Sequence, residues 1–185
     1  SSGVWTAQKE EWDQIFSFAK NMGMKYISAE PAREDWDEVK TLSKKYGIKV
    51  AVHNHPSENS YWKPEILLGN IGGRDGLLGA CVDVGHYKRM QIEPVSAMKQ
   101  LEGRIISLHF KDIAPQGKDQ ILEDEVWGQG ILNVKGMMEE LKRQKPHQLS
   151  KEEEKILSSL SAILDKPYEL YGDIKFGDTK FEKFQ

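Results

Sequence analysis

A regular alternation of short apolar runs and amphipathic stretches extends from residue 8 to about residue 144, and it leaves few folds open to this chain. Each apolar run has the length of a buried strand, and each amphipathic stretch repeats its apolar residues every three or four positions, as a helix does. The alternation predicts βα units around a mainly parallel sheet. The predicted strands are 25–30, 48–52, 77–82 and 104–108, the predicted helices are 8–22, 34–46, 63–70, 94–101 and one beginning near 134, and 113–130 is predicted to be a long loop.

Charge and cysteine content exclude several classes of protein. The 185 residues carry 26 basic and 29 acidic side chains, a net charge of -3, which predicts no strong attraction to nucleic acid or to an anionic membrane. The lone Cys81 excludes an intramolecular disulfide and a cysteine-rich zinc module. No apolar run approaches the roughly 20 residues of a membrane helix, and no signal-peptide pattern opens the chain. A cytoplasmic location is therefore favoured, although Ser1-Ser2-Gly3 also fits a cut within a longer gene.

Histidines and carboxylates collect where the predicted strands end. Because the carboxyl ends of parallel strands converge on one face, these side chains are expected to meet at one mouth. A single histidine at a strand end is more often structural, so the prediction depends on the joint pattern. A mixture of imidazole and carboxylate suits Mn²⁺, Co²⁺, Zn²⁺ or Fe²⁺ better than Ca²⁺. The residues concerned are Glu30, His53, His55, Asp83, His86, His109 and Asp112.

Four motifs carry a resemblance to a known family. They are Tyr26-Ile-Ser-Ala-Glu-Pro31, His53-Asn-His-Pro56, Gly79-Ala-Cys-Val-Asp-Val-Gly-His86 and Leu108-His-Phe-Lys-Asp112. Together they are similar to motifs of the sugar phosphate isomerase/epimerase family, which has the xylose isomerase-like TIM barrel. The resemblance covers about residues 3–144. It implies an α/β fold, an incomplete (β/α)8 barrel of about five βα units, the third to the seventh, with Gly3-Val4-Trp5 as the end of the third strand.

The last part of the chain does not share this resemblance, which predicts two domains. Residues 1–144 form the partial barrel and 145–185 form a tail, with a linker, a helix at 151–164 capped by Ser150, and a possible strand at 168–176. In the family, a final strand carrying the last metal-binding Glu follows the helix that ends here near Gln144. No matching segment follows it in this chain.

The resemblance also implies a site with one divalent metal, Mn, Co, Zn or Fe. Asp83 and His109 match the ligands on the sixth and seventh strands, and the ligand position of the fifth strand falls within 53–55. The predicted metal ligands are His55, Asp83, His109 and Glu30.

The chemistry that this family resemblance implies is proton transfer on a ketose or keto-sugar through an enediolate. Glu30 is the candidate base, with His53 as a second, and Lys111 would polarise the carbonyl or bind an anionic group. The predicted substrate-binding residues are His86, Trp127 and Asp112. For Trp127, packing of the long loop is an equal alternative to a wall over the sugar.

The sequence allows two other hypotheses about function. The chain is alternatively a catalytically inactive barrel fragment without the final Glu, acting as an assembly or binding module or representing a truncated or engineered derivative. A metal-dependent endonuclease of a related class is disfavoured by the negative net charge. The expected partner is a small-molecule sugar, with no nucleic acid and no membrane. Two open sheet edges also predict a homo-oligomer in which a second chain covers an edge.

Overall fold

The architecture comes from a computed structural model that describes residues 3–4, 7, 9–57, 61–72 and 76–144. The predicted tail, with its linker, its helix at 151–164 and its strand at 168–176, lies outside these residues. Five strands form one parallel sheet in the order of the sequence. They are β1 (Gly3–Val4), β2 (Tyr26–Ala29), β3 (Lys49–His53), β4 (Leu78–Asp83) and β5 (Ile105–His109).

The sheet confirms the prediction of an α/β fold with an incomplete barrel. Each strand pairs in parallel with the next one along the chain, which is the strand order of a (β/α)8 barrel. Within the described part of the chain the sheet ends at β1 on one side and at β5 on the other, so these five strands form an open barrel segment.

Helices lie between successive strands of the sheet and after a hairpin, and each of them buries part of its surface. Helix α1 shows why, because Trp12, Phe16 and Ala19 recur at helical spacing and are all buried. None of the described helices is long and apolar enough to cross a membrane. The helices are α1 (Trp12–Asn21), α2 (Trp36–Tyr46), α3 (Pro64–Ile71), α4 (Val84–Arg89), α5 (Pro94–Gln100) and α6 (Val134–Gln144).

The predicted loop at 113–130 is wrong, because it contains regular structure, and one helix was not predicted. Residues 113–130 include an antiparallel hairpin of β6 (Asp112–Gln116) and β7 (Ile121–Glu125), whose largely exposed residues show no apolar alternation. The segment directly after Asp83 forms the unpredicted helix, α4. Its start is stabilised by the Asp83 carboxylate, which accepts the backbone N–H of His86 at 2.9 Å as a helix N-cap.

The pairing of β4 with β5 contains an irregularity that matters for the site. Ala80 is in register with Ile105, but Cys81 is in register with Ser107, so Ile106 is an extra residue on β5. Such a bulge shifts the alternation of all later side chains. Gly79 gives β5 the room it needs here, because a Cβ on Gly79 would lie 2.2 Å from the Arg104 carbonyl oxygen and 2.9 Å from the Ile106 side chain.

Candidate metal centre

The ends of β3, β4 and β5 carry the polar side chains to the inner face of the sheet. His53 is in register with Cys81, and Asp83 is in register with His109. Because side chains two residues apart on a strand share a face, Cys81 and Asp83 lie on the same side. The sequence-predicted convergence of histidines and carboxylates is therefore present on the inner face of the sheet.

Asp83 lies at the centre of this cluster and is 1% exposed. Its Oδ2 atom lies 3.2 Å from Lys111 Nζ, 3.4 Å from His109 Nδ1, 3.5 Å from His86 Nε2 and 3.7 Å from His53 Nε2. His53 Nε2 and His109 Nδ1 are themselves 3.1 Å apart. One carboxylate oxygen thus faces three imidazoles and one ammonium group.

Asn54 fixes the backbone of Asp83. Its side-chain amide donates to the Asp83 carbonyl at 3.0 Å, and its side-chain oxygen accepts the Asp83 N–H at 2.7 Å. Asn54 is 3% exposed, so these bonds form in a buried environment where they hold geometry well. The pair locks the end of β3 to the end of β4.

Glu30, just beyond β2, joins the same cluster. Its Oε1 atom contacts His55 Nδ1 directly and lies 3.8 Å from His53 Nδ1. The Glu30 side chain is 14% exposed and that of His55 is 38% exposed. Both residues therefore sit at the opening of the cluster, with His53 buried beneath them.

The electrostatics favour neutral imidazoles at His86 and His109 and an ionised carboxylate at Asp83. Burial lowers the pKa of His86 to about 4, and the positive charge of Lys111 adds to this effect against the opposing charge of Asp83. Burial and the neighbouring His53 lower the pKa of His109. Burial by itself would raise the pKa of Asp83, but hydrogen bonding by His53 and His86 and the charge of Lys111 hold it well below its usual range.

The donor set fits a divalent metal. Ligands of a four-coordinate zinc, with bonds of about 2.0–2.2 Å, lie about 3.3–3.6 Å from one another. The triangle of His53 Nε2, His109 Nδ1 and Asp83 Oδ2 has edges of 3.1, 3.4 and 3.7 Å, which bracket that spacing. A second group, His53, His55 and His86, has ligand atoms within 4.8 Å of one another. His53, predicted as a catalytic residue, thus belongs to both groups of candidate metal donors.

Sequence reasoning missed two charged residues at the rim, Arg89 on α4 and Asp124 on the hairpin. Arg89 donates from Nη2 to Asp124 Oδ1 at 2.9 Å and from Nε to the Leu122 carbonyl at 3.0 Å. Lys111 Nζ lies 3.4 Å from Asp124 Oδ2, so Lys111 is shared between Asp124 and Asp83. The acidic run 123–125 is typical of a solvated surface, and only the hairpin places Asp124 beside the cluster.

Asp112 lies apart from the cluster, although it was predicted to bind substrate. Its Oδ2 atom accepts the N–H groups of Gly128 and Gly130, each at 2.9 Å, and its Oδ1 atom accepts those of Ile113 at 2.9 Å and Leu132 at 3.0 Å. Asp112 is fully buried. Its carboxylate therefore holds the segment after β7 in place, and its position gives no support to substrate binding.

Trp127 lies on the segment that Asp112 holds. Its ring packs edge to face against Phe110, with ring centroids 5.4 Å apart. The residue remains 38% exposed. The indole therefore packs the segment after β7 against the end of β5 and also presents surface to solvent.

The lowered pKa of His86 predicts a loss of stability in mild acid. An unfolded histidine has a pKa near 6.5, whereas that of folded His86 is about 4, so the unfolded chain binds more protons between these values. The free energy of unfolding should therefore fall as the pH falls from about 6.5 towards 4. Asp83 does not contribute in this window, because its pKa is low in both states.

Urea unfolding at pH 7 and pH 5, without added metal, measures this effect. The His86→Gln variant should lose part of the pH dependence, since it removes the titrating group. Equal midpoints for the unchanged chain at the two pH values would contradict the prediction.

The family described as "Xylose isomerase-like TIM barrel" matches residues 6–154, which is most of the chain. A second family, described as "Oligopeptidase F", matches residues 129–181, which is less than half of the chain. A search of the curated proteins finds no match to the sequence.

Several solved structures are similar to this chain. An uncharacterized protein from Parabacteroides distasonis is 37% identical, with a TM-score of 0.56, and the match covers 78% of this chain and 57% of that protein. A D-tagatose 3-epimerase-like protein is 20% identical, with a TM-score of 0.58, covering 82% of this chain and 67% of that one. The IolI protein, solved with a binding zinc atom, is 18% identical, with a TM-score of 0.60. This match covers 91% of this chain and 77% of the IolI chain.

The chain spans little more than half the length of its 37% identical relative. The two more distant structures support the fold alone. The family match nevertheless covers the four sheet strands β2 to β5 and the hairpin, together with every residue of the histidine and carboxylate cluster. The chain therefore belongs to the xylose isomerase-like TIM barrel family.

Proposed function

We propose that this chain is a divalent-metal-dependent isomerase- or epimerase-like protein that acts on a ketose or keto-sugar by proton transfer through an enediolate. The observation that carries the proposal is the metal-sized triangle of His53, His109 and Asp83, with Glu30 beside it. The resemblance to a D-tagatose 3-epimerase-like protein and to a zinc-containing protein of the same fold is in keeping with it. The proposal includes a sugar as the partner and no nucleic acid or membrane.

In this proposal some residues of the cluster bind the metal and others act on the sugar. His53, His109 and Asp83 would hold the metal, with Glu30 and His55 at the open side. A bound divalent metal supplies Lewis-acid polarisation of adjacent carbonyl and hydroxyl oxygens. The lowered pKa of His109 favours binding, because an imidazole nitrogen must be unprotonated to act as a ligand.

Glu30 is the proposed base. Its contact with His55 orients the carboxylate at the mouth, where Oε2 or Oε1 would accept a proton from a carbon next to the carbonyl. Lys111, with a side chain 23% exposed, would donate to the carbonyl oxygen or pair with an anionic group. His86 would hydrogen-bond a sugar hydroxyl, and Trp127 would cover the sugar ring.

The test is exchange of the carbon-bound proton in deuterated water, followed by NMR for a panel of ketoses with the Mn²⁺- or Co²⁺-loaded chain. We expect exchange with at least one ketose. Glu30→Gln should slow it by at least about 100-fold, the lower end of the effect of a general base, while metal remains bound. The matched control is Glu34→Gln, an exposed carboxylate four residues away, which should have no effect.

Metal binding without exchange on any ketose would overturn the proposal. The alternative reading, an inactive barrel segment, would then stand. The match of residues 129–181 to a different family favours that alternative, because it begins before the point where the final metal-binding strand is expected.

A further inference from the structure

We propose that Cys81 is an additional ligand of this centre, which binds a thiophilic cation such as Zn²⁺, Co²⁺ or Cd²⁺ through the Cys81 sulfur together with His53 and His109. The inference rests on the proposed metal site and adds a donor that the sequence analysis did not assign. It also narrows the class of metal that the centre prefers.

The first support is position. Cys81 lies two residues before Asp83 on β4, on the same face, and it is paired with His53 on β3. The Cys81 sulfur and one nitrogen of each of His53 and His109 lie within 4.8 Å of one another. Cys81 is fully buried and is the only cysteine of the chain.

The second support is that the same two imidazoles, those of His53 and His109, lie near both Asp83 and Cys81. His53 and His109 face the carboxylate of Asp83, and they also belong to the group that contains the sulfur of Cys81. A cation held by both imidazoles would therefore have the sulfur of Cys81 available as a third donor. Two nitrogens and one sulfur, with the fourth position left for another ligand, form a donor set that suits zinc.

The third support is the polarity around the thiol. Buried cysteines usually pack as small hydrophobic side chains. Cys81 instead lies in register with Ser107, whose hydroxyl is 3.1 Å from that of Tyr26, and next to His53 on the other side. Its surroundings on the inner face are therefore polar. A sulfur donor in such a position shifts the preference of a site towards thiophilic ions and away from Mn²⁺.

The experiment is a Co²⁺ titration of the whole chain followed by absorption spectroscopy. We expect visible d–d bands from the bound ion together with a strong near-ultraviolet band from sulfur-to-cobalt charge transfer. Cys81→Ser should remove the near-ultraviolet band, keep the visible bands and weaken Cd²⁺ binding by at least about tenfold, since even outer-shell partners contribute about 10–100-fold to affinity. Mn²⁺ affinity, the control, should stay unchanged in the same variant.

The outcomes separate this inference from the proposed function. Bound Co²⁺ with visible bands but no charge-transfer band would overturn the role of Cys81 and leave the proposed function intact. No Co²⁺ binding at all would overturn both. X-ray absorption of the Zn²⁺-loaded unchanged chain tests the same point without a variant, since a sulfur ligand gives scattering at about 2.3 Å.

Discussion

Replacing Asp83 by asparagine should lower the affinity for Zn²⁺ by at least about 100-fold, the upper end of the effect of an outer-shell partner. The substitution removes the negative charge that faces His53, His109 and Lys111 within 3.7 Å. The asparagine oxygen can still accept the backbone N–H of His86, so helix α4 keeps its N-cap. The loss should therefore appear in metal binding rather than in folding.

Isothermal titration calorimetry with Zn²⁺ measures this change. Asp37→Asn, an exposed carboxylate at the start of α2, is the matched control and should bind as the unchanged chain does. His109→Ala should produce a loss of similar size, because it removes a second corner of the triangle. If neither Asp83→Asn nor His109→Ala weakens binding, the assignment of the centre is wrong.

Replacing Gly79 by alanine should destabilise the fold by about 3 kcal/mol, the upper end of the usual overpacking cost. The new Cβ would lie 2.2 Å from the Arg104 carbonyl oxygen, which is backbone. That oxygen also accepts the Ala80 N–H at 2.7 Å, so it cannot move away without loss of a bond between β4 and β5. Because β5 carries His109, metal affinity should fall as well.

The control for this variant is Gly69→Ala in the interior of α3. A Cβ there meets nothing within 4 Å, and alanine is favoured over glycine in a helix by about 0.5–1 kcal/mol. Urea unfolding should thus show opposite shifts for the two variants. A Gly79→Ala chain as stable as the original would show that β5 does not approach β4 as closely as described.

The repeating pattern of the sequence was sufficient to predict the sheet. Strands β3 and β4 are buried over almost their whole length, so their short, nearly continuous apolar runs between amphipathic stretches identify them as strands of a parallel sheet. The histidines at their ends then converge because parallel strands end on one side. The sequence alone therefore predicts that His53, Asp83 and His109 lie close together.

Other parts of the site depend on tertiary contacts that no local pattern encodes. The hairpin of β6 and β7 is largely exposed. Because neither face of β7 is buried, residues 121–125 do not alternate between apolar and polar side chains. The role of Asp112 depends on N–H groups that lie as far along the chain as Leu132. The short helix α4 has no apolar repeat, and its one local signal is the N-cap residue Asp83, which the sequence pattern indicates equally well as a metal ligand.

The extra residue Ile106 determines which side chains of β5 belong to the interior. Without it, continued pairing would place Ile106 beside Cys81 and Leu108 beside Asp83, and His109 would move to the opposite face. A strand without the bulge would pair with β4 without interruption of the hydrogen bonds between them, but its aliphatic side chains would face the centre. The odd or even number of residues in β5 therefore decides which side chains face the centre. A single inserted residue replaces the aliphatic Ile106 and Leu108 at this face by Ser107 and the potential ligand His109.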